Sequence, residues 1–143
     1  MDSNFGETLS ELMIERNISS KKLATAIGVS VSTINDWKRG KFKLYLSNLK
    51  KVADFFNCSL EFLMGRSDNL LDYIPKPYPP FYPHFRKVIE QCGTTRSRMS
   101  KESRIKDSYF TEWSKGSDPH VVSLIEAADY LNVTIDYLIG RDQ

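Results

Sequence analysis

Cysteine and histidine are scarce in this chain, and long apolar runs are missing; each shortage removes a class of function. The two cysteines, Cys58 and Cys92, have no metal-ligand spacing and are too few for a disulfide framework. Cys58 lies within an apolar pattern and reads as a small core residue. The two histidines, His84 and His120, are too far apart in sequence to suggest a pair. No Ser/His/Asp set, phosphate-cradling glycine loop or cluster of metal ligands is present, so we expect no catalysis, no cofactor and no metal. No stretch approaches the ~18 apolar residues of a membrane span. The first twenty residues are punctuated by acids and carry no apolar run, so no signal peptide is expected, and the expected location is cytoplasmic. Charge of one sign is not in large excess either: 20 Lys/Arg against 18 Asp/Glu leaves +2, too little by itself to indicate a polyanionic partner.

What is present is a foldable composition. The 143 residues are 41% hydrophobic and 12% aromatic, enough to bury a core, and the length suits one domain or two small ones. The positive charge is unevenly placed. Residues 1–66 hold ten Lys/Arg against seven Asp/Glu, whereas residues 81–143 hold nine against nine. A surplus confined to one region suits phosphate binding, although a solvated face alone produces the same count.

That region contains the clearest local pattern, residues 20–40. Leu23, Ala24 and Ile27 form an apolar stripe on one helix. Gly28 stands where that helix must stop, at a place where a left-handed residue is cheap for glycine. Ser30 is placed to cap a second helix, in which Ile34 and Trp37 turn inward, and Gly40 closes the element. Ala24 is small, as two closely crossing helices require. Two short helices joined by a tight turn are the unit that lays its second helix in the major groove of DNA. Helical spacing also predicts a first helix over 5–16 ended by Asn17. Ser47 is expected to cap a fourth helix running through Phe56, ended by Asn57. Ser59 then starts a short fifth helix ended by Gly65.

The stretch LATAIGVSVSTINDWKRG (23–40) resembles the Cro/repressor-type, xenobiotic-response-element group of helix-turn-helix regulators from bacteria and phages. LKKVADFFNCSLEFLMG (49–65) resembles the two further helices of that family, at the expected distance. The resemblance spans nearly all of residues 5–66 and implies an all-α, lambda-repressor-like five-helix domain that binds double-stranded DNA.

Residues 72–83 then hold five of the six prolines, interleaved with aromatics. Proline fixes φ and removes a donor, so this segment is expected to be an extended, stiff linker. Beyond it the first pattern returns. A shift of 76 places Leu12, Met13, Leu23, Val29, Ser32, Ile34, Trp37 and Gly40 on Val88, Ile89, Met99, Ile105, Ser108, Phe110, Trp113 and Gly116. After a one-residue deletion, Leu49, Ala53, Asp54, Asn57, Leu63, Gly65 and Arg66 fall on Leu124, Ala128, Asp129, Asn132, Leu138, Gly140 and Arg141. The reading is therefore two tandem five-helix domains, 1–67 and 84–143, joined by a Pro/aromatic-rich linker over 68–83. The copies differ: Arg104 stands at the Gly28 position, so its turn is either strained or reshaped, and Ser100 replaces Ala24. Asp107 and Glu112 put acid on the second recognition helix.

With Ile34 and Trp37 inward, the recognition helix at about 31–38 presents Val31, Ser32, Thr33, Asn35, Asp36 and Lys38 outward. The resemblance implies base reading by Val31, Ser32 and Asp36, with Thr33 and Asn35 near the backbone or neighbouring bases. Ser20 and Lys21 at the start of the first motif helix, Ser30 at the start of the second, and Lys38, Arg39, Lys41 and Lys43 at the other end are expected around the phosphates. A second, weaker DNA-binding set is Arg96, Arg98, Lys106, Ser108, Tyr109, Thr111 and Lys115. Trp37, Trp113, Phe55, Phe56, Phe62, Tyr130 and Tyr137 are expected in the core rather than on a stacking platform. The expected partner is double-stranded DNA and the expected function sequence-specific transcription regulation, as a repressor. A homodimer is left open, as is a protein partner held by the second domain. The competing reading is a protein-interaction module, an antitoxin-like or anti-repressor adaptor on the same fold. No membrane partner is expected.

Overall fold

Ten α-helices and no β-strand form among the residues that the computed structural model describes, 4–41, 43–68 and 78–141. The chain divides into two units, Met1–Pro75 and Lys76–Gln143. None of these helices is long and apolar enough to cross a membrane.

In the first unit α1 is Asn4–Glu15, α2 Ser20–Ile27, α3 Val31–Lys38, α4 Leu46–Phe56 and α5 Leu60–Leu63. The stops are local chemistry: Asn17 and Asn57 adopt left-handed backbone (φ 55° and 53°), which asparagine tolerates better than other side chains. Ser59 caps α5 by accepting from the Phe62 N–H at 2.9 Å. At the start of α4 the expected cap is displaced. Tyr45, not Ser47, holds the N-cap position, with no side-chain cap bond, because Leu46 is itself buried and helical. Phe5, Leu9, Leu23, Ile34, Leu44, Leu49, Leu60 and Leu63 are fully buried around Trp37. The Phe5 ring meets the Trp37 indole edge-on at 6.0 Å. Phe56 lies in this core as expected, whereas Phe55 and Phe62 are only half-buried. Arg16 closes the rim by donating to the Phe56 carbonyl at 2.7 Å, its guanidinium over the Phe56 ring.

One contact in this core involves no side chain. A Cβ added at Gly6 would lie 2.7 Å from the Trp37 carbonyl oxygen and 2.9 Å from that of Lys38. Helix α1 thus crosses the end of α3 backbone to backbone, and only glycine permits the approach.

The second unit comprises α6 (Phe81–Gln91), α7 (Arg96–Glu102), α8 (Asp107–Ser114), α9 (Val121–Leu131) and α10 (Ile135–Leu138). Its first helix corrects the expected linker over 68–83. Residues 69–77 lie outside the described residues, but Phe81, Tyr82 and Pro83 form the first turn of α6. Proline is tolerated there because first-turn N–H groups have no intrahelical acceptor anyway. The rings also reward the helix: Phe81 stacks on Phe85 at 5.3 Å and meets Trp113 edge-on at 5.7 Å. Phe85, Phe110 and Trp113 complete this aromatic core. Tyr130 and Tyr137, expected inside, are half-buried, their hydroxyls donating to Glu102 and Gln91. His84 bonds the Tyr137 carbonyl at 3.0 Å, and His120 caps α9 by accepting from the Val122 N–H.

Gly6→Ala should lower the thermal midpoint. Overpacking against two carbonyls costs about 1–3 kcal/mol, which exceeds the helix propensity that alanine restores, about 0.8–1 kcal/mol. Calorimetry of the full chain checks this; an unchanged or raised midpoint would remove the close approach from the account.

Candidate nucleic-acid interface

The turn between α2 and α3 is built from three residues with separate tasks. Gly28 takes a left-handed conformation (φ 79°) and returns its N–H to the Ala24 carbonyl at 2.9 Å. Val29 donates to the same carbonyl at 3.0 Å. Ser30 is extended and accepts from the Thr33 N–H at 3.1 Å, starting α3. Burial of Ile34 and Trp37 then fixes the rotation of α3. At about 100° per residue, Ser32 points directly away from that pair, Val31, Asn35 and Lys38 flank it on one side, and Thr33 and Asp36 on the other. Val31 is 40% exposed, a large apolar side chain left in water at the start of a helix.

The two flanks have different partners. On the α2 side, the Ser20 hydroxyl donates to Asn35 Oδ1 at 3.1 Å, and Lys38 Nζ reaches Ser20 Oγ at 3.5 Å. Ser20, Asn35 and Lys38 are thus brought together as a polar clasp between α2 and α3. Ser20 is not the cap of α2, however: Ser19 accepts from the Lys22 N–H at 3.0 Å, and Ser20 and Lys21 form the first turn. On the other flank an open groove of about 730 Å³ is lined by Val29, Ser30, Thr33, Asp36, Trp37, Lys41, Lys43 and Asn48. Lys41 and Lys43 are exposed beside it. Asp36 accepts from Arg39 at 2.6 Å in a pair whose side chains are 42% and 62% exposed. Such an i,i+3 surface pair contributes about 0.2–1 kcal/mol, so Arg39 is easily drawn to another anion. Asn48, in the first turn of α4, was not expected; its only signal in sequence is its nearness to the Lys41–Lys43 loop.

The second unit arranges the same places differently. The turn keeps unstrained backbone: among described non-glycine residues only Asn17, Asn57 and Asn132 have positive φ, so Arg104 is not left-handed. Instead α7 ends at Glu102. Ser103 is extended, its hydroxyl donating to the Met99 carbonyl at 2.6 Å and accepting from the Ile105 N–H at 3.1 Å. A serine side chain does here what left-handed glycine does in the first unit. The α7–α8 contact is also re-made around Arg96. Its Nε donates to Asp107 Oδ1 at 3.1 Å, and its Nη2 to Asp107 Oδ2 at 3.3 Å, to the Asp107 carbonyl and to Thr111 Oγ1. The guanidinium also lies over the Phe110 ring at 5.5 Å. The Asp107 bond raises the Arg96 pKa further above its ordinary value, with Tyr82 also contributing. Of the other residues expected in this second set, Arg98 pairs with Glu102 at 3.7 Å, Lys106 precedes α8, Ser108 and Lys115 are exposed, and Tyr109 lies against Trp113. Among the described residues no three His, Cys, Asp or Glu side chains gather as a metal site.

Around the last short helix of each unit, α5 and α10, lies a matched ion pair that composition does not reveal. Arg66 Nε meets Glu61 at 3.0 Å, and Arg141 Nη1 meets a deeply buried Asp136 at 3.6 Å; in both the arginine N–H returns to the acid's own carbonyl at 2.8 Å.

Ser30→Ala should cost about 1 kcal/mol of stability through loss of the α3 cap, read as a lower urea midpoint at unchanged slope. A change within 0.3 kcal/mol, on the order of measurement error, would contradict the capping role.

No curated protein and no solved structure matches the chain. Residues 8–69 match the family model of the Cro/C1-type HTH DNA-binding domain, a span that takes in α2 to α5 and most of α1 and lies within the first unit.

Proposed function

We propose that the first unit binds double-stranded DNA with α3 in the major groove, and that the chain is a sequence-specific transcription regulator of bacterial or phage type, acting as a repressor without catalysing a reaction. The observation that carries this reading is the outward face of α3. Val31 and Ser32 stand exposed at its N-terminal end, between the Ser20–Asn35–Lys38 clasp and the groove edged by Lys41 and Lys43. An apolar residue at that end suits a thymine methyl, and short hydroxyls suit base edges or phosphates. None of these residues is a long bidentate reader, the kind of contact that discriminates by about 1–3 kcal/mol, so specificity per domain is modest. The lysines position the domain on phosphates without reading sequence.

We further propose that the second unit is a divergent copy of the first with a different role, a surface for a second copy of the chain or for a protein partner. Three features support common origin. Helices α3 and α8 are offset by 76 at both ends, α4 and α9 by 75, and α5 and α10 by 75. The Phe5–Trp37 contact has its counterpart in Phe81–Trp113. The Glu61–Arg66 pair has its counterpart in Asp136–Arg141. Acid on α8, where Val31 stands in α3, supports the difference in role.

Selection of bound duplexes from a random pool tests the first proposal. Val31→Ala with Ser32→Ala should relax sequence preference with little change in salt dependence. Lys41→Ala with Lys43→Ala should leave the preference intact, weaken binding to all sequences and reduce the log–log salt slope by about two. Selection and slope unmoved by all four substitutions would place the interface elsewhere.

A further inference from the structure

One pair of positions holds the recognition helix to the helix before it in both units. In the first, Ser20 bonds Asn35; in the second, 76 residues on, Arg96 bonds Thr111. The chemistry at the helix head differs. Val31, exposed at the head of α3, has Asp107 as its counterpart at the head of α8, and Asp107 is held by Arg96 through both carboxylate oxygens. Glu112 does not distinguish the units, because its counterpart in α3 is Asp36, also an acid. Resting on the DNA-binding reading of the first unit, we infer that Asp107 is a specificity-determining residue that keeps α8 off duplex DNA by occupying Arg96, so that base reading in this chain is confined to α3.

A carboxylate at the head of a recognition helix faces the phosphate-lined groove with the wrong sign, and its desolvation has no compensation from the base edges except cytosine amines. Arg96 would be the natural remedy. It lies on the first turn of α7, the helix that crosses the DNA backbone in this architecture, and its planar fork suits a phosphate bidentately. Two of the fork's three nitrogens, Nε and Nη2, are already engaged within the unit. Two bonds go to the Asp107 carboxylate, one to its carbonyl and one to Thr111, while Phe110 lies beneath the guanidinium. An exposed ion pair with one contact is readily exchanged for a phosphate. Arg96 instead has a bidentate grip with two further acceptors and only about a third of its side chain exposed (32%), so exchange gives up several bonds for one or two. The groove beside it, lined by Arg86, Thr94, Thr95, Ser97 and Glu90, is thereby bounded on its α8 side by a neutral pair.

The test is a gain of function in the full chain. Asp107→Val places at the head of α8 the residue type found at Val31 and frees Arg96. It is made in a Lys41→Ala, Lys43→Ala background, in which the first unit's phosphate grip is weakened, and read against a random-sequence duplex of about 40 base pairs over a salt series. Circular dichroism and the thermal midpoint check that each variant is folded. Asp107→Val should strengthen binding at low salt about tenfold and steepen the log–log slope by about one, the signature of one new phosphate contact. Arg96→Ala added to Asp107→Val should abolish both gains. Folded Asp107→Val with unchanged affinity and slope overturns the inference, and so does a gain that survives Arg96→Ala, which would make Asp107 act by its own charge alone. These readouts compare variants of the second unit. If the unaltered chain showed no salt-dependent duplex binding, the reading of the first unit would fail by itself, and the Asp107→Val comparison would still decide the second.

Discussion

Everything at the candidate interface depends on the burial of Ile34 and Trp37. The two side chains are 0% and 1% exposed, and they fall on one side of an eight-residue helix. Once they are inside, α3 has a single rotation, and Ser32, Val31 and the flanking polar residues are delivered to the surface as a consequence. The indole is held in turn by the Phe5 ring and by an α1 backbone that approaches close enough to forbid a Cβ at Gly6. Replacing a fully buried tryptophan by alanine costs about 3–5 kcal/mol, comparable to the whole stability margin of a small domain. The interface and the fold therefore share one point of failure.

In the duplication we propose, the buried and the polar positions diverge to different extents because they carry different tasks. The apolar scaffold is kept: Trp113 stands for Trp37, Phe110 for Ile34, Met99 for Leu23, and all are buried. The polar surface is not. Ser20 and Val31 leave an open helix head, whereas Arg96 and Asp107 close it with an ion pair. A packing solution survives such exchanges because surface positions contribute little to stability. What changes is the sign and availability of charge at the groove-facing end.

The sequence made legible whatever is decided within one or two helical turns. The spans of α3, the Ser30 and Ser59 caps and the asparagine stops all follow from short-range rules, and the structure has them where the pattern puts them. Features decided between elements were not legible. Gly6 looks like a weak point in a helix until the Trp37 carbonyl is seen against it. Ser20 opens α2 in the pattern, yet the cap is Ser19, whose extended backbone lets its hydroxyl accept the Lys22 N–H. Nor does Ser103 advertise that its hydroxyl replaces a glycine, because its partners, the Met99 carbonyl and Ile105 N–H, are set by how α7 ends. Proline density argued for a linker through residue 83, yet the rings beside Pro83 found an aromatic core to join. Among site residues the candidates around α3 were visible as types and spacing. Their division into a Ser20–Asn35–Lys38 clasp and a Lys41–Lys43 groove required coordinates.

The most direct test of α3 as the groove-entering element is a residue-resolved NMR titration of the full chain with a selected duplex. The account predicts that amide shifts concentrate at Ser20 and Lys21, at residues 30–36 and at Lys41 and Lys43, with α8 little moved. Shifts concentrated on residues 107–114, or on faces of the first unit remote from α3, would contradict it.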